Sequence, residues 1–108
     1  MAWIAVIVAG LLEVGFATFL KLSANFTRIL PSIAFAICAL ASFALLSWAL
    51  KELPVGTAYA VWTGIGAAGT ALLGIFIFND PATFARLGAI GLIIGGVVLL
   101  NVTGSSPA

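Results

Sequence analysis

The sequence AWIAVIVAGLLEVGFATFL, residues 2–20, is a continuous apolar run that contains a single charged side chain, Glu13. About 20 apolar residues are what an α-helix needs to cross a lipid bilayer, so the run predicts a transmembrane helix. An ionisable side chain in the middle of such a helix is costly, and its default interpretation is a functional site. Glu13 is therefore the first candidate functional residue.

The rest of the chain repeats the apolar pattern. Of its 108 residues, 64% are hydrophobic and only 6% are charged, whereas globular domains average roughly 25% charged residues. Further apolar runs cover about 30–50, 54–78 and 84–101, and each is long enough to span a membrane. We therefore expect an all-α membrane protein, with one transmembrane domain over residues 1–108 built from four helices.

Several function classes find no support. The only cysteine, Cys38, lies within the second run, and the chain has no histidine. The sequence has no cluster of metal ligands, no nucleotide-binding loop and no nucleophile–base pair, so we expect no metal, no cofactor and no enzyme activity. The four basic residues are dispersed, which argues against a nucleic-acid partner.

Helical spacing places other side chains beside Glu13. Gly10 lies one turn before it, which predicts free space beside the carboxylate, and Phe16 places a ring one turn after it. Ser42 lies in the middle of the second run. Its hydroxyl is expected to bond either Glu13 or the carbonyl four residues back in its own helix.

The third run carries Tyr59, Trp62 and Thr63 at positions i, i+3 and i+4, which share one helix face. Trp62 lies too deep for an interfacial belt residue, and its indole N–H needs a hydrogen-bond partner there. A buried carboxylate near aromatic rings is typical of a cation site, since ring faces add roughly 0.5–2 kcal/mol of cation–π attraction. Desolvation favours the neutral form of a carboxyl group, so a proton is expected to compete with the cation.

Other interpretations stay open at this point. Glu13 could serve only packing in a non-transporting membrane subunit, and a channel would need no coupling to protons. In the fourth run, the spacing of Gly91 and Gly95, with Gly96 beside them, predicts close approach of two helices. Those helices could belong to two protomers or to one.

The loop charges give a weak orientation signal. Lys21, Arg28 and Arg86 fall on one side of a four-span topology, against Lys51 and the amino terminus on the other. Such a small bias predicts either one orientation set by other factors or insertion both ways.

Taken together, these residues resemble the small multidrug resistance family of proton-coupled exporters. The resemblance rests on Gly10–Val14, on the run LPVGTAYAVWTGIGA at 53–67, and on the glycines that begin at Gly91. It implies a multi-pass protein of the bacterial inner membrane that forms an antiparallel, dual-topology dimer. It also implies that two Glu13 carboxylates share one cation or two protons, and that Gly91, Gly95 and Gly96 form the dimer contact.

The subtype is less clearly marked. Residues 53–57 and 62–67 look more like the guanidinium exporters than the quaternary-ammonium exporters. Phe16 and Asn101 depart from that subtype, which generally has Trp and Lys at these positions. The expected function is proton-coupled antiport of small guanidinium-type cations. The alternatives are export of quaternary ammonium, lipophilic or substituted guanidinium cations, or a role as one subunit of a heterodimeric pair.

Overall fold

The computed structural model describes residues 1–103, and this part of the chain contains four α-helices and no strand. The helices are α1 (Ala2–Leu22), α2 (Ile29–Ala49), α3 (Val55–Ile77) and α4 (Phe84–Thr103). At 1.5 Å per residue each is roughly 30–35 Å long, which matches the hydrocarbon thickness of a bilayer. All four are long and apolar enough to span a membrane, so the expected four-helix membrane fold is confirmed.

A tight turn joins α1 to α2. Ser23 is fully buried, and its hydroxyl donates to the Leu20 carbonyl at 2.7 Å and accepts from the Phe26 backbone N–H at 3.1 Å. Ala24, Asn25 and Phe26 all have positive φ, at 49°, 62° and 65°. Three left-handed residues in succession are costly for non-glycine side chains. They reverse the chain within a few residues, so that α2 lies against α1.

The connection from α3 to α4 is also short. Asn79 adopts a left-handed φ of 58°, and the Asp80 N–H donates to the Gly74 carbonyl at 3.0 Å, which caps α3. Asp80 also forms an ion pair with Arg86 at 3.9 Å. Thr83 then accepts a hydrogen bond from the Arg86 N–H at 3.2 Å, which caps the start of α4.

The helices form a thin layer. α1 packs against α2 and α3, while α4 packs against α3 at the edge of the layer. The Cα positions extend over 47 × 34 × 16 Å. The buried apolar side chains cluster where the first half of α1 meets the first half of α3; they include Ala2, Ala5, Val6, Ala9, Ala58, Val61 and Trp62. Beyond Gly10 most of α1 is only half-buried, so the packing opens at the level of Glu13.

α4 touches the rest of the protomer along one face only. A Cβ atom on Gly64 of α3 would lie 2.6 Å from a methyl group of Val97, so this glycine permits the close approach of α4. Gly91, Gly95 and Gly96 are exposed, and a Cβ on any of them would meet no atom within 4 Å. These three glycines therefore do not pack within the protomer, and the alternative of an internal contact is wrong.

Candidate functional site

Glu13 lies on the face of α1 that carries the buried residues Val6 and Ala9, at the point where the packing opens. The side chain as a whole is half-buried. Its Oε1 atom is shielded from solvent and has no hydrogen-bond partner within residues 1–103. The carboxyl group rests against α3 at Gly66, where a Cβ atom would collide with Glu13 Oε1 and Cδ. The absence of a side chain at Gly66 is thus what lets the carboxyl lie there.

The charge on Glu13 has no counter-charge nearby. The basic side chains lie at helix ends and in loops: Lys21 in the last turn of α1, Arg28 before α2, Lys51 after α2 and Arg86 in the first turn of α4. The one ion pair within residues 1–103 is the exposed Asp80–Arg86 pair. An uncompensated carboxylate at mid-span is unfavourable, so a bound cation or a proton would stabilise it.

A buried hydrogen-bonded chain lies beside Glu13. The Ser42 hydroxyl donates to the Ala9 carbonyl at 2.7 Å and accepts from the Trp62 indole N–H at 2.9 Å. Trp62 has therefore found the partner that its depth required. Ser42 bonds neither Glu13 nor its own helix, so both sequence-based expectations for it are wrong. The reason is that helix rotation points Ser42 at α1 one turn before the carboxylate.

Aromatic rings from α1, α2 and α3 form a continuous wall. Trp62 contacts Tyr59 and Phe43, both at 5.7 Å between ring centroids, and Phe16 contacts Phe43 at 6.0 Å and Phe35 at 5.8 Å. Tyr59 and Phe43 are 56% and 50% exposed, so both present ring surface outside the protomer. Phe43 and Phe35 were not predicted from the sequence. Their spacing of two helical turns on α2 was the available signal.

Gly10 and Thr63 occupy different surroundings. A Cβ on Gly10 would lie 2.8 Å from the Ile65 side chain, so α3 fills the space that we expected to stay free beside the carboxylate. Gly10 instead allows α1 and α3 to meet closely. Thr63 Oγ1 is buried, and like Glu13 Oε1 it has no hydrogen-bond partner in the described part of the chain.

The structure thus brings the predicted site residues of three helices into one region. Glu13, Gly10 and Phe16 come from α1, Ser42 from α2, and Tyr59, Trp62 and Thr63 from α3. The glycines of α4 lie apart from them on the outward face. Over residues 1–103 no group of three or more His, Cys, Asp or Glu side chains could hold a metal ion. What the region offers is one carboxylate, the three hydroxyls of Ser42, Tyr59 and Thr63, and several ring faces.

Comparison with known proteins agrees with this architecture. The family profile described as "Small Multidrug Resistance protein" matches residues 1–101. A protein of Citrobacter freundii named "Guanidinium exporter" is 50% identical over 103 residues, covering 95% of this chain and 98% of that protein. A protein of the same name from Yersinia pseudotuberculosis is 52% identical over 102 residues, covering 94% and 98%. With four spans and bacterial relatives of this kind, the chain is a multi-pass protein of the bacterial inner membrane.

Proposed function

Because this chain belongs to the small multidrug resistance family, we propose that it exports small guanidinium-type cations from the cell in exchange for protons. Two close relatives carry the name guanidinium exporter, and their similarity extends over nearly the whole chain. Membership alone does not define a substrate. The proposal therefore rests on the chemistry of the site.

The observation that carries the proposal is the Glu13 carboxyl group, shielded at Oε1 and without a basic neighbour among the described residues. Guanidinium is a planar cation with N–H donors around its edge, and it pairs with carboxylates through two parallel hydrogen bonds. A buried carboxylate with free acceptor capacity balances the charge of guanidinium and accepts hydrogen bonds from its N–H donors. The ring faces of Tyr59 and Trp62 add cation–π attraction on the open side.

Coupling to protons follows from using one group for both ligands. A proton on Glu13 removes the charge that attracts the cation, and a bound cation favours the ionised carboxylate. When the site faces one side of the membrane at a time, cation leaves on one side and protons enter on the other. The two fluxes then run in opposite directions.

The functional unit in this proposal is an antiparallel homodimer. The protomer is a layer only 16 Å thick, and its site opens on one face. A second protomer would close that face and bring its own Glu13, so that two carboxylates share one cation or two protons. The exposed glycine face of α4, around Gly91 and Gly95, suits close contact with the partner's helix. The weak loop-charge bias is compatible with insertion in both orientations.

Phe16 favours a second class of substrate. Its ring is engaged with Phe35 and Phe43, and it cannot donate a hydrogen bond to a carboxylate. The resulting surface is apolar and tolerant in shape, which suits lipophilic, quaternary ammonium or substituted guanidinium cations. These cations are the alternative substrates, and a heterodimer with a related chain is the alternative assembly.

The test is transport by purified protein in liposomes containing a pH-sensitive dye. We expect an outward guanidinium gradient to drive protons inward, and Glu13→Gln to abolish this exchange while leaving the protein folded. Glu52→Gln is the matched control, because Glu52 is an exposed acid in the loop before α3. Exchange that survives in Glu13→Gln would contradict the mechanism.

The same assay separates the alternatives. Guanidinium and tetraethylammonium gradients applied in parallel rank the two substrate classes. Cation flux without proton flux would identify a channel. No flux of either kind, together with Trp62 fluorescence that does not respond to the cations, would indicate a non-transporting subunit or a protomer that requires a different partner chain.

A further inference from the structure

Gly66 is the point of α3 on which the Glu13 carboxyl group rests. A Cβ atom built on Gly66 would lie 2.8 Å from Glu13 Cγ and would collide with Cδ and Oε1. Gly66 is itself buried, and it lies in the interior of α3, where a glycine weakens the helix by roughly 1 kcal/mol relative to alanine. The position is therefore unfavourable for helix stability and favourable for the placement of one side chain.

Two buried polar atoms, on Glu13 and on Thr63, support a functional role for the Gly66 position. Glu13 Oε1 and, one turn before Gly66 on α3, Thr63 Oγ1 are both buried, and neither has a hydrogen-bond partner within residues 1–103. Buried polar atoms are rarely left unpaired, and each unpaired one calls for an explanation such as a functional role or a bound water molecule or ion.

We propose that Gly66 is a positioning residue for the transport site: its missing side chain holds the Glu13 carboxyl against α3, one helical turn from Thr63, in the position that receives the cation or the proton. A methyl group at Gly66 would push the carboxyl away from α3. The proposal rests on the transport function proposed above, and it adds the residue that sets the carboxyl position.

Gly69 provides a matched control on the same helix. A Cβ on Gly69 would lie 2.5 Å from a methyl group of Val14, so Gly69→Ala adds the same methyl to the same α1–α3 contact, one turn further along. It meets an apolar side chain instead of the carboxyl group. Any general loss of α1–α3 packing should appear in both variants, and only Gly66→Ala should change the carboxylate chemistry.

The experiment measures guanidinium-evoked proton release from purified full-length protein. Loss of one well-placed hydrogen bond to a charged group corresponds to about a tenfold change in affinity, so we expect Gly66→Ala to weaken apparent guanidinium affinity about tenfold relative to Gly69→Ala. Labelling of Glu13 by a hydrophobic carbodiimide, measured by intact-protein mass spectrometry, should be faster in Gly66→Ala because the carboxyl group no longer rests against α3. This second readout does not depend on guanidinium.

A compensating variant tests the geometry directly. Glu13→Asp withdraws the carboxyl by one carbon–carbon bond, about 1.5 Å, so it should recover affinity in the Gly66→Ala background and reduce it in the wild type. Equal guanidinium affinities in Gly66→Ala and Gly69→Ala would overturn the proposal. It would also be overturned if Glu13→Asp did not recover guanidinium binding in the Gly66→Ala background, or folding where Gly66→Ala alone does not fold. Suppose that Glu13 is labelled faster in Gly66→Ala but guanidinium evokes no proton release from the wild type. That result would support the role of Gly66 in positioning the carboxyl group and would refute the proposed transport function.

Discussion

Ser42 connects three helices, and replacing it by alanine has a calculable cost. The side chain is fully buried, and its hydroxyl makes two hydrogen bonds, to the Ala9 carbonyl at 2.7 Å and from the Trp62 N–H at 2.9 Å. The Ala9 carbonyl, inside α1, can keep its helical hydrogen bond in Ser42→Ala. The Trp62 N–H loses its partner. We therefore assign most of the cost to the Trp62 bond.

The magnitude follows from that single loss. Interhelical hydrogen bonds in membrane proteins contribute about 0.6 kcal/mol on average and up to about 1.7 kcal/mol. Leaving a buried donor unpaired costs about 1–3 kcal/mol. Because only one oxygen atom is deleted, the cavity contribution is small. We expect Ser42→Ala to lower the free energy of unfolding by about 1–3 kcal/mol and to weaken cation binding, since the Trp62 ring is no longer fixed.

The assay is a double-mutant cycle measured by reversible unfolding in mixed detergent micelles. Ser42→Ala, Trp62→Phe and the double variant should give a coupling free energy of about 0.6–1.5 kcal/mol. Ser32→Ala is the control, because the Ser32 hydroxyl bonds only the Arg28 carbonyl of its own first turn, at 2.6 Å. A coupling of zero, or equal destabilisation by the two serine variants, would refute the assigned network.

Four further predictions concern other parts of the molecule. Lowering the pH should weaken guanidinium binding in equilibrium dialysis, since protons compete for Glu13, and a pH-independent affinity would contradict that competition. Gly64→Ala should destabilise the fold by about 1–3 kcal/mol in unfolding titrations, because its Cβ meets Val97. Gly91→Leu should leave the protomer folded but reduce dimer formation in cross-linking, whereas an unchanged dimer fraction would place the contact elsewhere. Phe16→Trp should raise the ratio of guanidinium to tetraethylammonium transport in liposomes by introducing an indole N–H donor, and an unchanged ratio would show that Phe16 does not set selectivity.

Helical spacing predicted which side chains of the candidate site share a helix face. Spacing within one helix placed Phe16 beside Glu13 and Tyr59 beside Trp62, and the structure includes all three rings in one aromatic wall. Spacing defines which residues share a face of one helix, but not which face of the next helix it meets. That limit explains why Phe43 was missed and why the partners of Ser42 were assigned wrongly.

The sequence by itself determined the four membrane spans, the depth of Glu13 and the lack of a basic residue at that depth. Those properties follow from the length and polarity of successive segments of the chain, because the thickness of the bilayer alone sets how long an apolar helix must be to span it. Only the tertiary structure decided that Gly66 lies under the carboxyl, that α3 fills the space beside Gly10, and that the glycines of α4 face outward. These outcomes depend on the rotation and separation of packed helices, which single-helix periodicity leaves undetermined.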